Sequence, residues 1–167
     1  MVEINSSKLK CAFNVLIVVI FTSYLFFNIN TYVHEKGHQE AFLEKGIDSE
    51  INLNHNVVGS GGITQFNSKD DCENFNSLSK KNKNKIFFAG IKSELMLLSV
   101  LLIMLFLIQI KANKKSLNNY YIKWALLLFI IIILYSLINN LNPYKEFSDA
   151  WKIANNFIFN CGLINFG

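Results

Sequence analysis

Arginine is missing from this chain. All 16 basic side chains are lysines, and a nucleic-acid reader without arginine lacks the bidentate guanine contact that is the commonest specific one. A nucleic-acid partner is therefore not expected. Proline occurs once, at Pro143, and charged residues make up only 17% of the sequence, too few to cover an ordinary soluble domain of this length. The three cysteines, Cys11, Cys72 and Cys161, lie far apart and form no CxxC pair. Three separate thiols are expected, with neither a disulfide framework nor a thiolate metal knuckle. Histidine is equally scarce, with three residues. What the chain has in excess is apolar sequence, 51% of it, with a mean hydropathy of +0.28. These residues sit in unbroken blocks such as "LMLLSVLLIMLFLI" and "WALLLFIIIILYSLI", the pattern of membrane spans.

The first block, about residues 11–33, continues as a more polar helix to about 45. Lys8 and Lys10 precede it, but Phe26, Phe27 and Asn28 follow its apolar core where a cleavable leader would place small residues. It reads as a retained span. Gly46 is a helix stop. Residues 47–85 are polar. Two short alternating runs around "GSGG" predict a β-hairpin, with those residues as its tight turn. The stretch "NSKDDCENFNSLSKKNKNK" reads as a flexible loop. A second span covers 86–110 and a third 120–141. Pro143 ends the third. Ser148 or Asp149 caps a last helix, about 149–160, too short and too mixed for a fourth span. The expected fold is an all-α membrane protein forming one domain over 1–167. It has three transmembrane helices, a partly inserted C-terminal helix, and a small β-hairpin between the first two spans. Its place is the cell membrane, multi-pass. The lysines of 111–123 and those at Lys80, Lys81, Lys83 and Lys85 argue for opposite orientations, which stays open.

Two of the three histidines fall in "HEKGH", residues 34–38. Positions i and i+4 share a helix face, so His34 and His38 can reach one zinc ion. Glu35 can take a proton from an attacking water. The motif ends an apolar run, where ionisable groups are costly and point to function. A catalytic zinc needs three protein ligands and an open position, so one ligand must come from elsewhere. Glu40 and Glu44 read as surface charges, the first turned about 200° from His38 around the helix. His55 reads as a strand residue, and Glu94 as paired with Lys92 in the interior or at the interface. Glu146 and Asp149, just after Pro143, remain.

"HEKGHQEAFLEKGI", followed by "GSGGITQF" and "FFAGIKSEL", resembles the site-2 protease family of intramembrane zinc metalloproteases. Gly37 keeps the glycine of its H-E-x-G-H motif, and Ala89-Gly90 is similar to its Ala-Gly-Pro motif, with Ile91 in place of proline. Asn140 to Pro143 match its Asn-x-x-Pro turn. Asp149, followed here by Ala150 rather than glycine, matches the Asp that ligates zinc. The resemblance implies Zn2+ held by His34, His38 and Asp149, Glu35 as catalytic base, and Asn140 as a substrate contact. The implied activity is hydrolysis of peptide bonds in membrane-spanning or membrane-adjacent substrates within the bilayer. Substrate choice would rest on this core or on a regulatory partner protein. The alternative is a non-catalytic relative acting as a membrane binding, immunity or regulatory protein.

Overall fold

The computed structural model describes residues 6–56, 59–111, 117–146, 148–155 and 157–161. Residues 57–58 and 112–116, Phe147, and the side chain of His55 lie outside the described residues. The elements run α1 (Ser6–Leu43), β1 (Ser49–Asn56), β2 (Gly59–Phe66), α2 (Lys69–Ser77), α3 (Lys80–Lys111), α4 (Leu117–Asn140) and α5 (Asp149–Ala154). The stretches Leu16–Leu43, Lys80–Gln109 and Tyr121–Asn140 are long and apolar enough to cross a membrane, each containing an 18-residue window with a mean hydropathy of 1.7, 2.3 and 2.4 respectively. The shortest has 20 residues and rises about 30 Å, one hydrocarbon thickness. Large apolar side chains along them stay exposed, Val18 by 63%, Phe106 by 65% and Ile131 by 61%. Apolar surface on this scale suits lipid and not water.

Side-chain contacts fix the helix directions. His38 meets the Ile86 carbonyl and Asn30 meets Glu94, so α1 and α3 run antiparallel. Asn140 lies by His34, and Phe129 stacks on Phe26 at 4.3 Å, so α4 runs parallel to α1. The bundle core is Ile91, Leu101, Phe129, Ile130, Ile133 and Leu137.

A second core lies past the end of α1. That helix stops in a Schellman motif: Gly46 takes a φ of 69°, its amide donates to the Leu43 carbonyl and that of Ile47 to the Phe42 carbonyl. The accompanying apolar contact is present, with Phe42 and Ile47 in one buried cluster with Phe66, Cys72, Phe75, Ile86 and Phe87. Phe75 is fully buried at its centre, within 5.3–5.7 Å of the rings of Phe42, Phe66, Phe87 and Phe159.

Four expectations need correction here. The "GSGG" residues do not form the hairpin turn; they open β2, which pairs antiparallel with β1 from Ser49 opposite Phe66 to Asn56 opposite Gly59. The stretch after the hairpin is not a flexible loop. The Ser68 side chain accepts from the Asp71 amide, Asp70 and Asp71 occupy the first turn of α2, where carboxylates suit the helix end, and Cys72 and Phe75 share its buried face. The last helix is shorter than expected, six residues, capped by Ser148, with irregular chain over 157–161. Finally, Cys72 and Cys161 are joined in a disulfide across 89 residues of sequence, so two of the three thiols are not separate.

Candidate metal centre

His34 and His38 are buried near the end of α1, one turn apart. Their Nε2 atoms are 3.1 Å from each other. Asp149 Oδ2 lies 3.1 Å from the first and 3.3 Å from the second, without the alignment of a hydrogen bond. A tetrahedral ion with ligands at about 2.0–2.1 Å separates neighbouring ligand atoms by about 3.3 Å. The triangle therefore has the dimensions of one face of such a site, and the three residues could together hold a metal ion.

The hydrogen-bond partners agree with that. His38 Nδ1 donates to the Ile86 carbonyl at 2.8 Å, which leaves a lone pair on Nε2. His34 Nδ1 faces Glu94 Oε1 at 3.5 Å, the side where a neutral ring keeps its proton. Three lone-pair atoms thus converge with no proton of their own between them. Without an ion, a proton on the imidazoles takes its place. Burial works against a charged Asp149, yet the two imidazoles outweigh it and hold the carboxyl well below the usual carboxylate range. The cluster is built to share one positive charge. Lys152 Nζ sits 3.4 Å from the other oxygen, Oδ1, so the two faces of Asp149 have different partners.

The chain reaches this geometry through local features. Asp149 is carried inward because Pro143 ends α4 and Ser148 recloses the chain: its Oγ donates to the Asn142 carbonyl at 2.6 Å and accepts from the Trp151 amide at 3.1 Å. On the opposite wall Gly90 lets the α3 backbone approach the imidazoles. A Cβ there would lie 2.6 Å from His38 Nε2 and 2.7 Å from His34 Nε2, so only glycine fits.

Glu35 is also buried. The Thr64 hydroxyl lies between its carboxylate, at 2.8 Å, and its own carbonyl, at 3.0 Å. Gly62, two residues before Thr64 and so on the same face of β2, brings the strand close: a Cβ there would be 2.6 Å from Glu35 Cγ. His34, Glu35, His38, Asn140 and Asp149 share one cavity of about 460 Å³ with Phe42, Ile86, Phe87, Phe157 and Phe159. Asn140 Nδ2 is 3.4 Å from His34 Nδ1.

The five site residues that the resemblance implies, His34, Glu35, His38, Asn140 and Asp149, are therefore together. The rival carboxylates Glu40, Glu44 and Glu146 are not among them; all three are exposed. Glu94 belongs to no ion pair with Lys92 among the described residues, which corrects that expectation. Lys92 is exposed, while Glu94 is fully buried and its Oε1 accepts from Asn30 of α1 at 2.9 Å and Ser136 of α4 at 2.5 Å. Sequence reasoning overlooked Thr64, Lys152, Phe157 and Phe159. For Thr64 the alternation of "GITQF" was a usable signal; the others come from a distant segment with no local pattern. No family model, curated protein or solved structure gives a significant match to this chain.

Proposed function

We propose that the protein is an intramembrane zinc metallopeptidase, with α1, α3 and α4 as its spans and a peptide at or near the membrane as substrate. The observation that carries this is the 3.1–3.3 Å triangle of His34, His38 and Asp149 in one cavity with a buried glutamate that belongs to none of the three ligands. Two imidazoles and a carboxylate are a donor set used by catalytic zinc, which leaves a fourth position open. Zinc bound there would activate water and polarise the scissile carbonyl.

The chain's own residues supply the remaining steps. Glu35, held by Thr64, accepts the proton of the attacking water and returns it to the leaving amine. The Ile86 carbonyl and Glu94 fix the ring orientations that keep both Nε2 atoms on the ligand side. Asn140, at the cavity wall, would hold a substrate carbonyl by its amide. The aromatic wall excludes water and receives apolar side chains. A scissile peptide must be extended to enter, so a helical substrate unwinds at this point.

The test is made on protein purified in detergent, assayed for zinc content and for cleavage of a membrane-anchored reporter. One zinc per chain is expected, with cleavage by the wild type and at least a 100-fold loss in Glu35→Gln, on the order of a general base's contribution, with zinc retained. Absence of zinc, or zinc without cleavage, would refute the peptidase and favour the non-catalytic membrane binding protein.

A further inference from the structure

The Cys72–Cys161 disulfide belongs to the architecture of the cleft. The segment it anchors contributes Phe157 and Phe159 to the cavity wall. Asn76, one turn past Cys72 on α2, clasps the same segment: its Nδ2 donates to the Phe159 carbonyl at 2.8 Å, and its Oδ1 accepts from the Phe159 amide at 3.2 Å. Phe159 then meets Phe66 and Phe75 edge-on at 5.0 and 5.3 Å. Cys72 itself is fully buried. Crosslinks of this structural kind persist in oxidising compartments and are rare where cellular reductants keep thiols reduced.

Helix directions put everything that the disulfide touches at one end of the bundle. The end of α1, the hairpin, α2, the start of α3 and α5 are there, with the metal ligands. The opposite end holds the start of α1, the end of α3 and the start of α4. In sequence, the stretches 1–10 and 111–123 that flank these helix ends carry Lys8, Lys10, Lys111, Lys114, Lys115 and Lys123 and a single acid, Glu3. Lysine-rich short segments favour the cytoplasm. The site end also has lysines, but Lys83 is not a free flanking charge. It is buried, donates to the Asn76 carbonyl at 2.7 Å and lies 5.5 Å over the Phe75 ring. Counted alone, the lysines of the site end (Lys36, Lys45, Lys69, Lys80, Lys81, Lys83, Lys85, Lys145 and Lys152) outnumber those six, so the orientation rests on the disulfide and not on lysine counting.

We propose that the end bearing the metal ligands and the disulfide faces the oxidising, extracytoplasmic side of the membrane, so that the site acts on peptide bonds at the outer flank of its substrates. The substrate half of this rests on the metallopeptidase reading; the orientation does not.

The experiment uses the full chain with Cys11→Ser in the inner membrane of a bacterial host with an oxidising periplasm. Glu44→Cys probes the site end, where Glu44 is exposed, and Lys114→Cys probes the α3–α4 connection. A membrane-impermeant maleimide should label Glu44→Cys in intact cells and Lys114→Cys only after lysis. In acid-quenched cells Cys72 and Cys161 should alkylate only after reduction. Labelling of Lys114→Cys in intact cells, protection of Glu44→Cys, or free Cys72 and Cys161 thiols would overturn the orientation. None of these readouts depends on zinc or turnover, so their failure is separate from failure of the peptidase reading. With an active protein, a single-span reporter should be cut when its test segment lies on the outer flank; cutting only on the inner flank would overturn the substrate assignment.

Discussion

The molecule has two cores built on different physics. Past the end of α1, Phe75 and its aromatic neighbours are sealed from solvent, with Cys72, Phe75 and Ile86 at 0% exposure. Along α1, α3 and α4 most large apolar side chains remain on the surface. Taken as membrane spans, the helices explain the contrast. In water, burying apolar area drives association; between helices in lipid that drive is absent, and packing with polar ties must serve. The tie here is Asn30–Glu94–Ser136, one residue from each helix. The candidate metal ligands lie on the seam, with His34 and His38 on the bundle side and Asp149 delivered from the capped segment after Pro143. On the metallopeptidase reading, zinc held by all three would be a fastening between the two cores.

The largest effect should follow from cutting that fastening. Asp149→Ala is expected to lower zinc affinity by more than the about 10–100-fold typical of outer-shell changes, while Glu146→Ala leaves it unchanged. Chelator competition on the purified variants measures both, and retained zinc in Asp149→Ala would refute the ligand assignment. Gly90→Ala should come next. Its added methyl would sit against both imidazoles, so zinc affinity should fall about 10–100-fold, as for a displaced supporting group, with helical circular dichroism intact. Normal affinity would mean that α3 can withdraw from the rings.

The two cores can be compared directly by paired truncations. Phe75→Ala should cost about 3–5 kcal/mol of unfolding free energy, read by denaturation in detergent. Leu102→Ala, on the exposed face of α3 at 49%, should stay within about 0.5 kcal/mol. Equal losses would show that the bundle is held by burial after all.

The long helices and the hairpin were legible because their patterns are local: unbroken apolar runs, and alternation on either side of a glycine-rich stretch. His34 and His38 were legible for the same reason, a spacing of one helical turn. Asp149 was proposed through resemblance, and its place beside the imidazoles depends on a turn more than a hundred residues away from them. The disulfide was not legible, since two cysteines 89 positions apart carry no spacing signal. The α2 helix was hidden by its Asn, Ser and Lys content, although Ser68 as a cap and the Cys72–Phe75 spacing announced it. Glu94 was weighed as a ligand or as a partner of Lys92 because sequence neighbours were the only partners in view. Its real partners come from two other helices.

Glu94→Gln is the smallest and most discriminating change to that tie. The amide keeps the shape and one acceptor oxygen, so Asn30 and Ser136 can still donate to it. What it lacks is the carboxylate that faces His34 Nδ1 at 3.5 Å. If Glu94 acts as a positioning residue for the imidazole, zinc affinity should fall by about tenfold, the low end for an outer-shell partner. Bundle stability in the metal-free protein should hold or rise, because a buried charge is costly to keep. The opposite result, unchanged zinc affinity with a less stable apo bundle, would make Glu94 a tie between helices and nothing more. The two measurements move in different directions under the two roles, so one variant separates them.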